Sequence, residues 1–404
     1  MSLVNCGVAP YTFYDILPIK SIAPYEVLLM IQESPSIELS KPITHTIALV
    51  KRIDYVDIAK GIGIVLVVMG HNDFALISVF AHKLIYSFHM PMFFFMSGMF
   101  LRPDVPFWSF LRSRFSRVLK PYMAILILIY LASTSFSKVS LVMATRRLLK
   151  AMYANGHYLD WVQLWFLPHL FAVSLFAFVF FKVMKRTPLY KWRYLILGVL
   201  YTVGVRSLKF FWPFDVNLMG RSFVLYGLPF SIDLVPVSGF FFIFGYELNR
   251  KQNDTLLENP KMLWISGIML ALLVWYFPQR IDFNTRQFDS LAINTAEALL
   301  GIYFILTLSK QFERIAWLSS IFKYIGQASL IILIFQVPIQ DYWGQKILVL
   351  TNNLQFSYWI SFLIGIVGPI VINILFIRPN QILREWFNQP APQESKRSAV
   401  SVFE

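Results

Sequence analysis

The residues best suited to chemistry fall on an apolar stretch near residue 60. The segment RIDYVDIAKGIGIVLVVMGHND carries Asp57, Lys60 and His71. Ionisable groups placed in lipid cost a few kcal/mol or more, so they tend to mark a pathway or a site. Eleven positions separate Lys60 from His71. On a helix that is about three turns and about 16 Å of rise, which puts both on one face. Asp57, three residues before Lys60, can pair with it. A neutral imidazole is the usual base for activating a hydroxyl near neutral pH. The plainer alternative makes Asp57 and Lys60 anchors of one helix end and His71 the cap of the other.

Two further segments carry candidates. In LIYSFHMPMFFFMSGMF, His89 lies beside Pro91. The proline bends a helix and frees a carbonyl one turn earlier, so His89 either satisfies polar groups at that bend or takes part in chemistry. Ser97 and Gly98 are small enough for close helix packing. In RPDVPFWSFLRSRFSRVLKPY, Arg112, Arg114, Arg117 and Lys120 crowd one connection. Arg114 and Arg117 share a helical face, and guanidinium forks match phosphate oxygens. The same cluster is also what orientation in a membrane alone would require. Trp165 in QLWFLPHL suits an interfacial aromatic belt. Asp233 and Glu297, if buried, would line a cavity or pair with a basic neighbour.

The elements that must hold these residues are membrane helices. Of 404 residues 57% are hydrophobic and 14% charged, with mean hydropathy +0.59, whereas soluble domains average about 45–50% apolar and about 25% charged. The 39 Phe and 11 Trp suit lipid contact. The net charge of +14 is therefore read as the basic excess of cytoplasmic loops rather than as a nucleic-acid surface. The expected fold is all-α and polytopic, with about ten transmembrane helices of about 20 residues each. They fall near 55–72, 84–101, 119–136, 164–183, 194–210, 223–247, 262–278, 290–309, 324–342 and 357–377. Placing both termini in the cytoplasm puts 22 Lys and Arg inside against 11 outside, as the positive-inside rule asks. Localisation in the cell (inner) membrane follows.

The expected organisation is an N-terminal extension over 1–50, a transmembrane domain over 51–378 and a cytoplasmic tail over 379–404. The extension holds Pro10, Pro18, Pro24, Pro35 and Pro42, which disfavours a long helix. It reads as a peripheral segment or as translation from an upstream start, and not as a signal peptide. The segment Ser140–Met152 predicts a short amphipathic helix in the outer interface. A single cysteine, Cys6, excludes an internal disulfide and a cysteine zinc cluster. There is no Walker lysine loop, HExxH or G-x-S-x-G, which removes ATP-driven transport, zincin and α/β-hydrolase readings. No metal site is expected.

Taken in order, RIDYVDIAKGIGIVLVVMGH, FHMPMFFFMSGMFL, the Arg-x-x-Arg of Arg114–Arg117 with Lys120–Pro121, and LWFLPHL resemble the acyltransferase family 3 membrane proteins. The lysine of DIAKG makes the chain most similar to the fucose 4-O-acetylase-like and nodulation-factor acetyltransferase branch. The resemblance implies transfer of an acyl group, usually acetyl, from acyl-CoA to a sugar hydroxyl of a surface polysaccharide or lipid-linked glycan. It implies no permanently bound cofactor, with acetyl-CoA as co-substrate, and it implies membrane lipid but no nucleic acid as a partner. The family's catalytic histidine falls on His71, acting as base or as acyl acceptor. Its acyl-CoA-binding cations fall on Lys60, Arg114 and Arg117, and its tryptophan on Trp165. Asp57, His89 and Glu297 are candidates for support. The pantetheine arm of the donor would run between the helices from Lys60 toward His71. One departure is Gln336, where many members carry a histidine; glutamine cannot exchange a proton near neutral pH. The rival reading is a secondary transporter or flippase, which also uses intramembrane charges; the chain lacks the paired halves many of those folds carry.

Overall fold

The computed structural model describes residues 53–389, apart from 73, 136–138, 219, 252–254 and 278–280. The extension over 1–50 and the tail from 390 onward lie outside the described residues. The described chain is overwhelmingly helical, with two short antiparallel hairpins, β1 (Phe214–Leu218) with β2 (Arg221–Leu225) and β3 (Ile281–Asp282) with β4 (Gln287–Phe288).

The helices run in chain order. First come α1 (Asp54–His71), α2 (Val79–Tyr86) and α3 (His89–Gly98). Helix α4 (Phe107–Arg114) passes through a π-helical turn, Phe115–Leu119, into α5 (Lys120–Ser135). Then come α6 (Leu141–Met152), α7 (Phe166–Arg186), α8 (Arg193–Ser207), α9 (Val235–Lys251) and α10 (Pro260–Tyr276). The last are α11 (Leu291–Glu313), α12 (Ala316–Gln327), α13 (Ser329–Thr351) and α14 (Leu354–Ile372).

Among the described residues, six helical segments are long and apolar enough to cross a membrane: Phe107–Ser135, Val162–Arg186, Pro188–Phe211, Pro229–Arg250, Leu291–Glu313 and Leu354–Ile377. The pair α12 and α13, bent by 75° at Ala328, makes a seventh if it counts as one span. Three of the ten expected stretches fall short for physical reasons. Helix α1 carries Asp54, Asp57 and Lys60 within its 18 residues. The stretch at 84–101 breaks between α2 and α3, where Phe88 leaves helical geometry. Helix α10 has only 17 residues.

Helix α1 is nonetheless the centre of the fold. Val56, Ile58, Ala59 and Val68 have no exposed surface, because α11, α12 and α13 pack around it. Of its charges, Asp57 and Lys60 are paired and mostly covered by protein, while Asp54 is half exposed and pairs with Lys323. Two close approaches depend on missing side chains. A Cβ on Gly61 would lie 2.1 Å from the Phe322 carbonyl, and one on Gly326 would lie 2.0 Å from that of Asp57, so α1 and α12 nearly touch. Gly98 and Gly245 make the same reciprocal contact between α3 and α9. The predicted amphipathic helix forms as α6, with Ser140 Oγ accepting a hydrogen bond from the Met143 amide. It exposes Leu141, Val142 and Leu149.

Candidate functional site

One cavity of about 230 Å³ runs beside α1 and is lined by Lys60, Ile64, Val67 and His71 from that helix. The i, i+4, i+7, i+11 spacing of those four residues is the helical stripe read from the sequence. Ser97 on α3, Arg117, and Gln163 and Trp165 on the turn before α7 add the remaining polar lining besides Ser329. Phe93, Phe166, Leu330 and Leu333 make the walls apolar.

Each polar group is held in a definable way. The Lys60 ammonium donates to Asp57 Oδ1 at 3.2 Å and lies 4.8 Å from the centre of the Phe100 ring. His71 Nδ1 is 2.9 Å from the Val67 carbonyl one turn back. A carbonyl only accepts, so Nδ1 carries a proton, and in the neutral ring the lone pair then falls on Nε2. The backbone of α1 thus selects the tautomer whose basic nitrogen is Nε2. The carboxylates of Asp282 and Asp341 lie within electrostatic reach of the ring.

Arg114 and Arg117 diverge although the sequence puts them on one face. Arg117 lies inside the π-helical turn Phe115–Leu119, where the Lys120 amide bonds to the Phe115 carbonyl. Pro121 follows and brings no N–H of its own. The wider turn changes the angular offset between the two side chains, and such π-bulges recur at functional sites. Arg117 lines the cavity. Arg114 instead places its guanidinium 5.4 Å from the centre of the Phe110 ring and is not part of the lining.

The other candidates lie outside the cavity. His89 is buried, with Nδ1 donating to the Ile85 carbonyl at 3.0 Å and Tyr86 edge-on to its ring. Glu297 is buried on α11, where Asn294 Nδ2 donates to its Oε2 at 3.1 Å and Oε1 has no hydrogen-bond partner among the described residues. Asp233 pairs with Arg286, a partner the sequence did not name. Nε and Nη2 of the arginine donate to the two carboxylate oxygens at 2.8 and 3.1 Å, and both side chains are fully buried.

Of two buried glutamines, Gln336 was singled out in the sequence and Gln163 escaped it. Gln163 is 2% exposed; its Nε2 donates to the Ile334 carbonyl at 3.0 Å, while its Oε1 has no partner among the described residues. Gln336 is fully buried with both amide atoms unpaired among the described residues. Only half of the Gln163 arrangement is visible in sequence. Pro338 has no N–H, so the Ile334 carbonyl must find another donor, but the string does not say which.

Fold and site together define a helical, multi-pass membrane protein with an internal cavity lined by cations and a histidine. An acyltransferase domain model matches residues 53–378, which is most of the chain, so the protein belongs to the acyltransferase family 3 membrane proteins. Comparison with curated proteins finds no match, and comparison with solved structures finds none either.

Proposed function

We propose that this protein moves an acetyl group from acetyl-CoA to a sugar hydroxyl of a surface polysaccharide or lipid-linked glycan. The observation that carries this reading is the single cavity joining Lys60 and Arg117 to His71. Lys60 and Arg117 would hold the phosphates of CoA, with Arg114 adding charge from behind. The pantetheine arm would span the rise of about 16 Å from Lys60 to His71. His71 Nε2 takes the proton from the acceptor hydroxyl as that oxygen attacks the thioester carbonyl. The carbon–sulfur bond breaks, and the CoA thiolate leaves with the proton returned by the imidazolium. Trp165, with its ring centre 5.5 Å from that of His169, forms a rigid wall against which the reacting groups are confined. Lys60 in DIAKG favours the fucose 4-O-acetylase-like and nodulation-factor branch.

The charge bias favours both termini in the cytoplasm of a cell with this protein in its inner membrane. The ten-crossing topology is kept in this reading. Helices α1 and α10 and the broken pair α2–α3 would cross while shielded by neighbouring helices, which relieves the cost of their charges and breaks. A reporter active only outside the cytoplasm should then work when fused after residue 155 and be silent after residue 188. The test of the chemistry is purified protein in lipid, supplied with acetyl-labelled acetyl-CoA and a glycolipid extract of the source cells. Label should pass to the glycan fraction with release of CoA; label that stays on CoA would contradict the proposal.

A further inference from the structure

Pro338 sits inside α13 and leaves the Ile334 carbonyl, one turn earlier, without its helical donor. Gln163 Nε2 supplies that donor at 3.0 Å. Only the NH2 end of an amide can do this, so the break in α13 fixes which way the Gln163 amide faces. The consequence is that Oε1 is buried, with no partner among the described residues, on a residue lining the cavity. A buried acceptor left unpaired costs about 1–3 kcal/mol, and the walls nearest it are apolar.

The oxygen also has a definable height. Ile334 follows Leu333, which lines the cavity, and Ile332 on the same helix packs with Ile64, Val67 and Val68. Gln163, bonded to Ile334, therefore meets the cavity beside the Ile64–Val68 stretch of α1, between Lys60 and His71. Phosphates and a thioester offer only acceptors. The pantetheine arm offers amide N–H groups along its length.

We infer that Gln163 Oε1 accepts a hydrogen bond from a pantetheine amide N–H of the acyl donor, and so sets how far the thioester advances toward His71. This rests on the acyl-CoA reading above. Gln163 is thus a donor-binding residue whose orientation is enforced by a proline on another helix.

The test is the affinity of purified protein for acetyl-CoA, and for an acetyl-CoA analogue methylated on both pantetheine amide nitrogens. Gln163→Met should bind acetyl-CoA roughly three- to tenfold more weakly than wild type. It should bind the methylated analogue as wild type does, because neither pair can form the bond. Gln163→Met leaves the Ile334 carbonyl bare, so Gln163→Met with Pro338→Ala, which restores a backbone donor there, repeats the measurement in a repaired helix. Unchanged acetyl-CoA affinity in folded Gln163→Met or in the double variant would overturn the inference. Equal weakening toward both ligands would overturn it too, since that indicates a packing role. Wild-type protein that does not bind acetyl-CoA at all would instead remove the acyl-CoA reading on which the inference stands.

Discussion

The His71 cavity and the Asp233–Arg286 pair both bury polar groups inside a helical membrane protein, and they treat them in opposite ways. Around Arg286 every guanidinium nitrogen has a partner. Its Nε and Nη2 go to Asp233, its Nη1 donates to the Asn284 carbonyl at 2.8 Å, and its guanidinium lies 5.0 Å from the centre of the Trp212 ring. Asp233 Oδ1 also accepts from the Leu228 amide at 2.8 Å. Nearby His169 uses both ring nitrogens, on the Phe230 carbonyl and Ser238 Oγ. In the cavity, neither His71 Nε2 nor Gln163 Oε1 takes a hydrogen bond among the described residues. Buried polar groups are nearly always satisfied, so open capacity on two residues that line one cavity points to a ligand there, and a pair satisfied by protein points to structure.

The largest effect should come from exchanging the two regions' roles by mutation. His71→Ala should cost about 10²–10⁴-fold in turnover, the usual loss for a general base, while leaving thermal stability near wild type. Arg286→Met should do the reverse. Removing one partner of a buried ion pair costs about 3–5 kcal/mol of stability, read by denaturant or thermal melting, and turnover per folded molecule should hold. A stable, inactive Arg286→Met would erase the distinction between the regions.

Next in size is the split between the arginines. Arg117→Ala should raise the acetyl-CoA KM roughly ten- to a hundredfold, the worth of a charged hydrogen bond. Arg114→Ala should raise it less, because that side chain stacks outside the cavity. Arg117→Lys should restore only part, since the fork is lost. Arg186→Ala serves as control; an equal defect there would reduce the cluster to a topogenic one.

How much of this was legible in the sequence depends on whether one helix or two must be known. The Asp57, Lys60 and His71 stripe was readable because a single period places all three residues. The equivalence assumed for Arg114 and Arg117 failed because the π-helical turn shifts their angular relation. The carboxylate of Asp233 and the amide of Gln163 were legible only as open questions or not at all. Their partners, Arg286 and the Ile334 carbonyl, lie 53 and 171 positions away. The first of the ten expected spans, α1, is less apolar than a lipid-facing helix, and helices packed among other helices can carry charge that lipid would penalise.

The smallest expected effect sharpens the same contrast at His89. Its Nδ1–H is committed to the Ile85 carbonyl and it lies outside the cavity. His89→Gln should therefore cost about 1–3 kcal/mol of stability, the worth of a buried hydrogen-bond partner, while keeping turnover per folded molecule. A well-folded but inert His89→Gln would move the catalytic role from α1 to α3.

The most direct test of the central claim is mass spectrometry of surface glycans from cells lacking the gene, complemented with wild type or with His71→Ala. The account predicts an acyl mass on a sugar that is present with wild type and missing both in the deletion and with His71→Ala expressed at equal level. An acyl pattern unchanged by the deletion, or fully restored by His71→Ala, would contradict it.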